Sequence, residues 1–430
     1  MKIPSILGLN ARTQLFAYKY NSKRGKNIAD SKIQTAKILK KAAVAHPKII
    51  KKFIDPRDVF EFDWTTLPDK FALKPSRGMG GEGIIVVKKQ LKDGGWLTTN
   101  KERVTADDLR LHVLDTLEGA YSMGNVPDVA FVQEYVGRAK AFRRWAYRGT
   151  PDIRIIVFNK VPIMAMLRLP TKESGGRANL HQGAIGVGVD IATGITTKAI
   201  WHGEQIVFKP GTERKLRGIK IPSWTGILET AVKAQIASGL GYVGVDIVLH
   251  PEKGPMVLEL NAQPGLQIQL ANMEGLKKRL ERVEDLDVVD AQHGVMIAKA
   301  LFAGRFENRK AVVEGIKTLK SLEEVKIYSF DRSKKAKVVA RVDTGAVRSS
   351  IDKKLAENLG LLTKENILWK EKGYRSASGR ETRPVIGVKY IIAGNKIKST
   401  ASVTDRSKMA TLFLMGRNDM AGFLVDPNLE

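Results

Sequence analysis

The segment from Phe71 to Lys89, FALKPSRGMGGEGIIVVKK, constrains this chain more than any other. An apolar run ends in Lys74, a glycine-rich stretch follows, and a second β-rich run begins at Ile84. This order predicts two strands joined by a tip whose free backbone N–H groups can bind phosphates. The glycines of the tip are Gly78, Gly80, Gly81 and Gly83. No Gly-Lys-Ser/Thr opens a helix here, and a strand follows, so neither a Walker loop nor a Rossmann turn is predicted. A flexible hairpin without a ligand is the alternative.

Two later strands carry a set of oxygen donors. The patterns of Tyr242 to His250 and of Pro255 to Asn261 predict strands joined by a short turn. Glu259 and Asn261 are two residues apart, so they project from one face, and Asp246 can lie across from them. Three such donors suit Mg²⁺ ions that bridge nucleotide phosphates. Alternation on a solvent-exposed strand is the other interpretation.

The lysine, the glycine hairpin and the later Asp…Glu-x-Asn set together resemble the ATP-grasp superfamily of carboxylate–amine ligases, over residues 1 to about 305. Within it the chain looks like the glutamate-ligase-like branch, relatives of enzymes that add glutamate to ribosomal protein tails. The resemblance implies an α+β ATP-grasp fold in which two α+β subdomains grip ATP. It also implies ATP and Mg²⁺ as cofactors, with two ions expected and Mn²⁺ as an alternative.

The resemblance assigns the nucleotide contacts to four further side chains. Lys32, at the head of a helix, and Lys74 would reach the phosphates. Gln133 and Glu134, at the end of a strand, would hold adenine and ribose at the interdomain hinge. The alternatives are a lysine on a solvated helix face and a capped strand end.

The same resemblance places four side chains at the reacting groups. Arg154 and Arg168 would face the acyl phosphate, because a guanidinium binds carboxylate or phosphate in a bidentate way. Asn179 and His181 lie in a glycine-rich stretch that resembles the family's loop beside the γ-phosphate. An arginine at a solvated strand edge and a histidine that only forms hydrogen bonds are the alternatives.

Net charge and cysteine content narrow the classes of partner. The chain carries a net charge of +27, which favours a nucleotide, an acidic peptide, RNA or an anionic membrane surface. It has no cysteine, which excludes disulfides, zinc–thiolate sites and thiol nucleophiles. No apolar run approaches the roughly 18–20 residues of a membrane span, and the first residues do not form a signal peptide. The sequence therefore predicts a cytoplasmic protein without a membrane span.

Helical spacing and breaks in the pattern predict the domain organisation. Residues 8–30 lack sustained periodicity and are expected to form an arm or a small subdomain, and a helix is expected from Ser31 to about His46. Further helices are expected over Thr105 to Leu117, Trp224 to Ser238 and Asp285 to Phe302, the last of these closing the ligase domain. The expected domains are a pre-grasp segment (1–55), an ATP-grasp domain (56–310), a linker (311–321) and a C-terminal domain (322–430).

The C-terminal domain has short strands and one Asp343-Thr344-Gly345 turn. An apolar run ends at Gly416, and a hairpin tip is expected at 376–379. This order resembles the small all-β fold of retropepsin-like aspartic proteases, in a branch named as zinc proteases. All six histidines precede the domain, so a catalytic zinc site there is not expected. A single Asp is half of a carboxylate dyad, so proteolysis through Asp343 requires a homodimer. A peptide-binding module is the alternative.

These features predict an ATP-dependent carboxylate–amine ligase fused to a retropepsin-like domain. The expected substrates are a small amino acid or an acidic peptide, and a ribosomal or other protein tail is a further expected partner. The rival prediction is a nucleotide-gated protein that binds peptide or RNA and whose ligase site is silent.

Overall fold

The computed structural model of the chain describes residues 6–78, 80–302, 317–376, 379–420 and 423–425. Contacts divide the chain into two compact units, Met1–Asp190 with Gly194–Glu284 and Ile191–Thr193 with Asp285–Glu430. The expected boundary near residue 310 therefore differs from the observed division, because the expected closing helix belongs to the second unit. Among the described residues, no helix is both long and apolar enough to cross a bilayer.

The first unit begins with short helices, which the lack of periodicity in residues 8–30 did not predict. They are α1 (Leu9–Ala11), a π-helical stretch (Arg12–Ala17), α2 (Tyr18–Tyr20), α3 (Lys23–Ala29) and α4 (Lys32–Lys41). Tertiary packing explains the difference, because Phe16 is fully buried against two rings of the larger sheet. Its ring centroid lies 5.5 Å from that of Phe158 and 5.9 Å from that of Tyr242. Such tertiary contacts stabilise helices even where the local sequence favours helix only weakly.

The helix α4 begins where the sequence predicts and ends earlier. The Ser31 side chain caps it by accepting from the Gln34 N–H. At its end Ala43 adopts φ +52°, and the Val44 N–H donates to the Leu39 carbonyl at 2.9 Å. This left-handed ending normally uses glycine, so the alanine hid it from sequence analysis.

A six-stranded antiparallel sheet forms the smaller lobe of the first unit, in the order β1-β6-β2-β3-β4-β5. Its strands are β1 (Ile49–Phe53), β2 (Phe71–Pro75), β3 (Ile85–Gln90), β4 (Trp96–Thr98), β5 (Arg103–Val104) and β6 (Ala130–Glu134). Two helices accompany it, α5 (Pro56–Glu61) and α6 (Ala106–Leu117). Phe53, Phe71 and Leu109 belong to one buried core cluster. Strands β2 and β3 form the hairpin that the glycine segment predicts.

A seven-stranded sheet, antiparallel throughout, forms the larger lobe in the order β11-β10-β9-β8-β7-β12-β13. Its strands are β7 (Asp152–Phe158), β8 (Val161–Leu169), β9 (Ile185–Val189), β10 (Thr196–Trp201), β11 (Glu204–Ile206), β12 (Tyr242–His250) and β13 (Gly254–Asn261). Three helices accompany it: α7 (Trp224–Ser238), α8 (Gln267–Asn272) and α9 (Lys277–Glu281). Helix α7 has the predicted bounds and packs against the strands that carry the candidate site. Short 3₁₀ turns occur at Trp64–Thr66, Met123–Asn125, Lys140–Phe142 and Leu180–Gln182.

The second unit contains a β-barrel and a small separate sheet. The strands of this unit are β14 (Lys317–Leu319), β15 (Leu322–Tyr328), β16 (Lys335–Asp343), β17 (Ser349–Asp352), β18 (Ile367–Ser376), β19 (Gly379–Ile392), β20 (Asn395–Thr404), β21 (Phe413–Gly416) and β22 (Phe423–Val425). The main sheet has the order β15-β16-β21-β17-β20-β19-β18, and the additional pairing of β15 with β19 closes it. The predicted all-β character is confirmed for this domain.

Two helices and a small sheet complete the second unit. They are α10 (Ala291–Leu301), α11 (Lys353–Asn358) and the parallel pair of β14 and β22. Helix α10 contacts β20, which is why this part of the chain belongs to the second unit rather than to the ligase domain. Strand β14 lies within the segment 311–321 that was expected to be a linker.

Candidate active site

A β-bulge sets the alignment of the charged residues on the larger sheet. Strands β12 and β13 pair Ile247 with Val257 and Asp246 with Glu259, so Leu258 is the extra residue. Without that extra residue Asp246 would face Leu258, and Glu259 would project from the other face of the sheet. The bulge therefore places the Glu259 carboxylate beside that of Asp246.

The neighbouring strands continue this row. Register pairs Arg154 with Asp246 between β7 and β12, and Asp152 with Arg168 between β7 and β8. Four adjacent strands thus place two arginines and three carboxylates side by side; these five residues are called the charged row below. Its members are Arg168, Asp152, Arg154, Asp246 and Glu259.

Ion pairs connect the charged row. Arg154 binds Asp246 through Nε–Oδ1 at 2.7 Å and Nη2–Oδ2 at 2.6 Å. Arg168 binds Asp152 through Nε at 2.5 Å and Nη2 at 2.6 Å, and its Nη2 also reaches Asp246 Oδ2 at 2.7 Å. Arg168 is buried, so it is not an arginine at a solvated strand edge. Its charge is tolerated there because both carboxylates satisfy it.

The pKa values of the two buried aspartates are shifted in opposite directions. Burial raises the pKa of Asp152 to about 6, although Arg168 beside it favours the charged form. Burial would also raise the pKa of Asp246, but Arg154 and Arg168 outweigh it and hold that pKa well below the usual range. Asp246 is therefore held as a carboxylate, the form that a metal ion requires.

The predicted phosphate lysine is electrostatically coupled to this row. Lys74, at the end of β2, donates to Gln133 Oε1 at 2.9 Å. Burial first, and then the charge of Lys32, lower the pKa of Lys74 to about 8, while Glu259 acts in the opposite direction. The charges of Lys32 and Glu259 therefore both act on the Lys74 ammonium group. This links both predicted phosphate lysines electrostatically to one of the predicted metal ligands.

Three contacts fix the glycine loop. Lys32 Nζ donates to the Gly78 carbonyl at 2.7 Å, and Asn179 Nδ2 donates to the Gly80 carbonyl at 3.2 Å. At the far end, His112 Nε2 lies 2.9 Å from the Gly83 carbonyl oxygen. Gly80, Gly81 and Gly83 have positive φ. At Gly83 a Cβ would also lie 2.5 Å from the Tyr121 ring, so a side chain is excluded there.

The predicted hinge residues lie at the end of β6. Gln133 joins Lys74 to the Pro47 carbonyl, which its Nε2 reaches at 3.2 Å. Glu134 accepts from the Lys48 N–H at 3.2 Å and forms an ion pair with Lys253. Burial acts to raise the pKa of Glu134, but Lys253 and the Lys48 N–H lower it below its usual value.

The second glycine-rich stretch forms a turn against the first. Asn179 accepts from the His181 N–H at 3.0 Å while its amide reaches the Gly80 carbonyl, so one side chain links both loops. His181 itself is exposed on this turn. Asn179 thus contacts the glycine loop directly, whereas His181 has no contact with the charged row among the described residues.

Magnesium ions fit the donors at this site. Asp246 is held charged, and its Oδ1 retains a lone pair beyond its contact with Arg154 Nε, whereas its Oδ2 accepts from both arginines. The Glu259 side chain is 35% exposed, with Arg154 Nη2 at 3.9 Å. Asn261 Nδ2 lies 3.4 Å from Glu259 Oε1. In the described part of the chain no three His, Cys, Asp or Glu side chains cluster as a complete metal site. Mg²⁺ needs only one or two carboxylates where substrate phosphates supply further ligands.

In the barrel, Asp343 stands at the end of β16. Its Oδ1 accepts from the N–H groups of Gly345 at 2.9 Å and Ala346 at 3.1 Å. Strand β16 runs parallel to β21, with Asp343 paired to Gly416. The predicted tip at 376–379 is bounded by the pair Ser376 and Gly379, and residues 377–378 lie outside the described residues.

Two positions of this site received no role from the sequence. Asp152 received none because its partner Arg168 appears only in the register of β7 with β8. Arg12 was missed because its segment has no periodicity. Its Nη1 donates to the carbonyls of Gln263 at 3.2 Å and Pro264 at 3.0 Å, so it holds the loop after β13.

Two α+β lobes, a glycine hairpin with its lysine, and a carboxylate pair on adjacent strands define the class of ATP-grasp proteins. The family model described as Sugar-transfer associated ATP-grasp matches residues 11–285, more than half of the chain. The chain belongs to this family. The predicted superfamily and the predicted ATP-grasp fold are confirmed.

Relatives and a solved structure resemble parts of this chain. A probable alpha-L-glutamate ligase of Stenotrophomonas maltophilia (strain R551-3) is 24% identical over 221 residues, 51% of this chain and 53% of the relative. One from Citrobacter koseri is 33% identical over 136 residues, 32% of this chain and 31% of the relative. The chain thus spans about half the length of the Stenotrophomonas relative and about a third of the length of the Citrobacter relative. The ATP-grasp ligase PsnB complexed with minimal precursor, Mg, and ADP is 18% identical, with 61% of this chain and 60% of that chain covered and a TM-score of 0.34. A likeness at that score carries no argument.

Proposed function

We propose that this chain is an ATP- and Mg²⁺-dependent carboxylate–amine ligase that acts through an acyl phosphate. The observation that carries the proposal is the charged row itself, in which two arginines bind a candidate metal ligand on the same sheet whose Asn179 turn contacts the glycine loop. The names of the curated relatives support glutamate, or a similar amino acid, as the amine.

Nucleotide binding uses the smaller lobe. Lys74 and the backbone N–H groups of the glycine loop bind the phosphates, and Lys32 supports the loop through the Gly78 carbonyl. Gln133 and Glu134 face the adenine and ribose. Bound Mg²⁺, held by Asp246, Glu259 and Asn261, supplies charge neutralisation at the transferring phosphate.

The reaction joins a carboxylate to an amine in two steps. A carboxylate oxygen attacks the γ-phosphorus, the bond to the β-phosphate oxygen breaks, and ADP leaves. The amine nitrogen then attacks the acyl carbon, the carbon–oxygen bond to phosphate breaks, and phosphate departs as the nitrogen loses a proton. His181, exposed on the Asn179 turn, is the residue that would take this proton.

The arginines stabilise the charge that develops in both steps. Arg154 and Arg168 each use Nε and Nη2 on carboxylates. Among the described residues, no hydrogen bond involves Nη1 of Arg154 or Arg168, so this group remains a donor for the oxygens of an acyl phosphate. Asp152 and Asp246 hold the guanidinium planes still, which pre-organises the donors before substrate arrives.

ADP formation tests the proposal. Purified protein, ATP and Mg²⁺ are combined with single amino acids and with acidic peptides, and ADP is measured. Glu259→Gln should lower the rate by about two orders of magnitude, because a charged metal ligand is lost. Glu204→Gln is the matched control, since Glu204 is exposed on the edge strand of the same sheet. Equal rates in the two variants would refute the assignment of the metal ligands.

A silent ligase site would leave a nucleotide-gated protein that binds peptide or RNA. Under that alternative, ATP binds and no acceptor raises ADP formation above background. The pairing of Asp246 with two arginines favours turnover, because a site that only binds nucleotide does not need two guanidinium groups next to its metal ligands.

We further propose that the barrel is a retropepsin-like peptidase or peptide-binding module. The turn that fixes Asp343 through two backbone N–H groups supports this. Cleavage needs a second Asp343 from another copy of the chain, since two aspartates must share one proton. Asp343→Asn should then stop cleavage of ligated product between about pH 4 and 8 while Asp405→Asn, an exposed turn substitution, does not. A monomer that cleaves no ligated product would leave the peptide-binding module.

A further inference from the structure

A large cavity lies in the first unit, apart from the charged row. It is lined by α3, α4, the end of β1 and the segments that follow β2 and precede β6, it is open to solvent on one side, and its volume is about 1480 Å³. Small-molecule sites usually have volumes of roughly 300–1,000 Å³. None of the charged-row residues lines it. Its size suits a peptide segment better than a free amino acid.

The rim of the cavity is strongly cationic. Six basic side chains line it and only two acidic ones, Asp30 and Asp128. Asp128 is already engaged, since it accepts from the Arg77 N–H at 2.6 Å. All six basic side chains are exposed, and none forms an ion pair with another described residue. They are Lys23, Arg24, Lys37, Lys41, Lys52 and Arg77. Such a concentration of one sign attracts an anionic partner.

The lining between these cations is aliphatic. Ile28, Ile33, Ile38, Ile54 and Val129 all contribute to it. None of the described lining residues is aromatic, whereas proteins that bind single-stranded nucleic acid usually stack bases on aromatic rings. Acidic side chains for the rim and aliphatic side chains for the lining are together found in an acidic peptide.

The cavity adjoins the phosphate loop through two serines. Ser31 and Ser76 both line it, and their hydroxyl oxygens lie 2.9 Å apart. The next residue after Ser31 is Lys32, which donates to the Gly78 carbonyl of the loop. A peptide in the cavity would therefore lie next to the loop that binds the nucleotide.

We propose that this cavity docks an acidic peptide that contains aliphatic residues and presents one of its carboxylates to the ligase site. The inference rests on the proposed function for the fate of that carboxylate. Docking itself needs no nucleotide, so it can be tested separately.

The test is fluorescence anisotropy without ATP, using a labelled ten-residue peptide of alternating glutamate and leucine at about 50 mM salt, where screening is weak. Lys37→Glu/Lys41→Glu should weaken binding by about tenfold, because two attractions become repulsions. Lys40→Glu/Lys89→Glu makes the same change in net charge at exposed positions outside the cavity and should alter affinity less than about threefold.

Three results would overturn the docking proposal. Equal weakening by the two double variants would show that only net charge matters. Unchanged binding in Lys37→Glu/Lys41→Glu would remove the cavity from recognition. A ten-nucleotide oligouridine that binds more tightly than the peptide, and loses more affinity in this variant, would assign the cavity to nucleic acid. Melting curves for each variant verify that the fold is intact. If docking fails but ADP still forms with free amino acids, the docking proposal is wrong and the proposed ligase function is unaffected.

Discussion

The two units arrange their carboxylates in contrasting ways. In the first unit Asp246 and Asp152 are buried and bonded to two arginines within one sheet. In the barrel Asp343 is half-buried, and its Oδ1 accepts only backbone N–H groups among the described contacts. The first arrangement neutralises its buried charges within one sheet. In the second, Asp343 alone would be half of a dyad, so the proposed peptidase function would need Asp343 of another copy of the chain.

Removing one carboxylate from each region should expose this contrast most strongly. Asp246→Asn leaves two buried guanidinium groups with one carboxylate fewer, so we expect the free energy of unfolding to fall by about 3–5 kcal/mol. Asp343→Asn retains an oxygen that can accept the same two N–H groups, so the expected loss is under about 1 kcal/mol. Urea denaturation of both variants measures the difference. Similar losses in the two variants would contradict the contrast.

The phosphate lysine sharpens the account of the first region. Lys74→Ala should weaken ATP binding by about ten- to a hundredfold, because a charged, partly buried donor near the metal ligands is lost. Lys88→Ala, at an exposed position of β3, is the control and should change affinity little. Calorimetric titration gives both values, and equal affinities would show that Lys74 does not bind the phosphates.

The smallest expected effect concerns pH. The pKa of Lys74 is lowered from 10.5 to about 8 by burial and by Lys32. Between these values the unfolded chain keeps a proton that the folded chain has lost, so the free energy of unfolding should rise with pH by roughly 1–3 kcal/mol. ATP affinity should fall several-fold over the same range, since neutral Lys74 binds phosphate weakly. Lys74→Met should remove both trends and Lys88→Met neither; trends that persist in Lys74→Met would assign them to other groups.

The sequence predicts where strands and helices lie better than it predicts which side chains meet at the candidate site. Strand β12 and helix α7 have the predicted bounds, because their apolar patterns are long and their ends are marked by glycine. The carboxylates of Asp246 and Glu259 lie side by side only because of the bulge at Leu258, and no residue pattern predicts this bulge. The sequence could place Glu259 and Asn261 on one face, but only strand register shows what they face.

Tertiary contacts account for most of the remaining differences. Residues 8–30 become helical because Phe16 and Arg12 are held by the larger lobe, and α4 ends on an alanine with positive φ. Helix α10 was expected to close the ligase domain because it follows that domain in sequence, yet it contacts β20 in the other unit. Local patterns contain no information about such partners.

The central claim is that a carboxylate is activated as an acyl phosphate at the charged row. The direct test uses a glutamate peptide labelled with ¹⁸O at its carboxylates, with ATP, Mg²⁺ and L-glutamate as the amine. Mass spectrometry of the inorganic phosphate reports where the oxygen goes. Transfer through an acyl phosphate leaves one peptide ¹⁸O atom in each phosphate released, and Glu259→Gln should release almost none. ADP formation with ligated product and unlabelled phosphate would contradict the account.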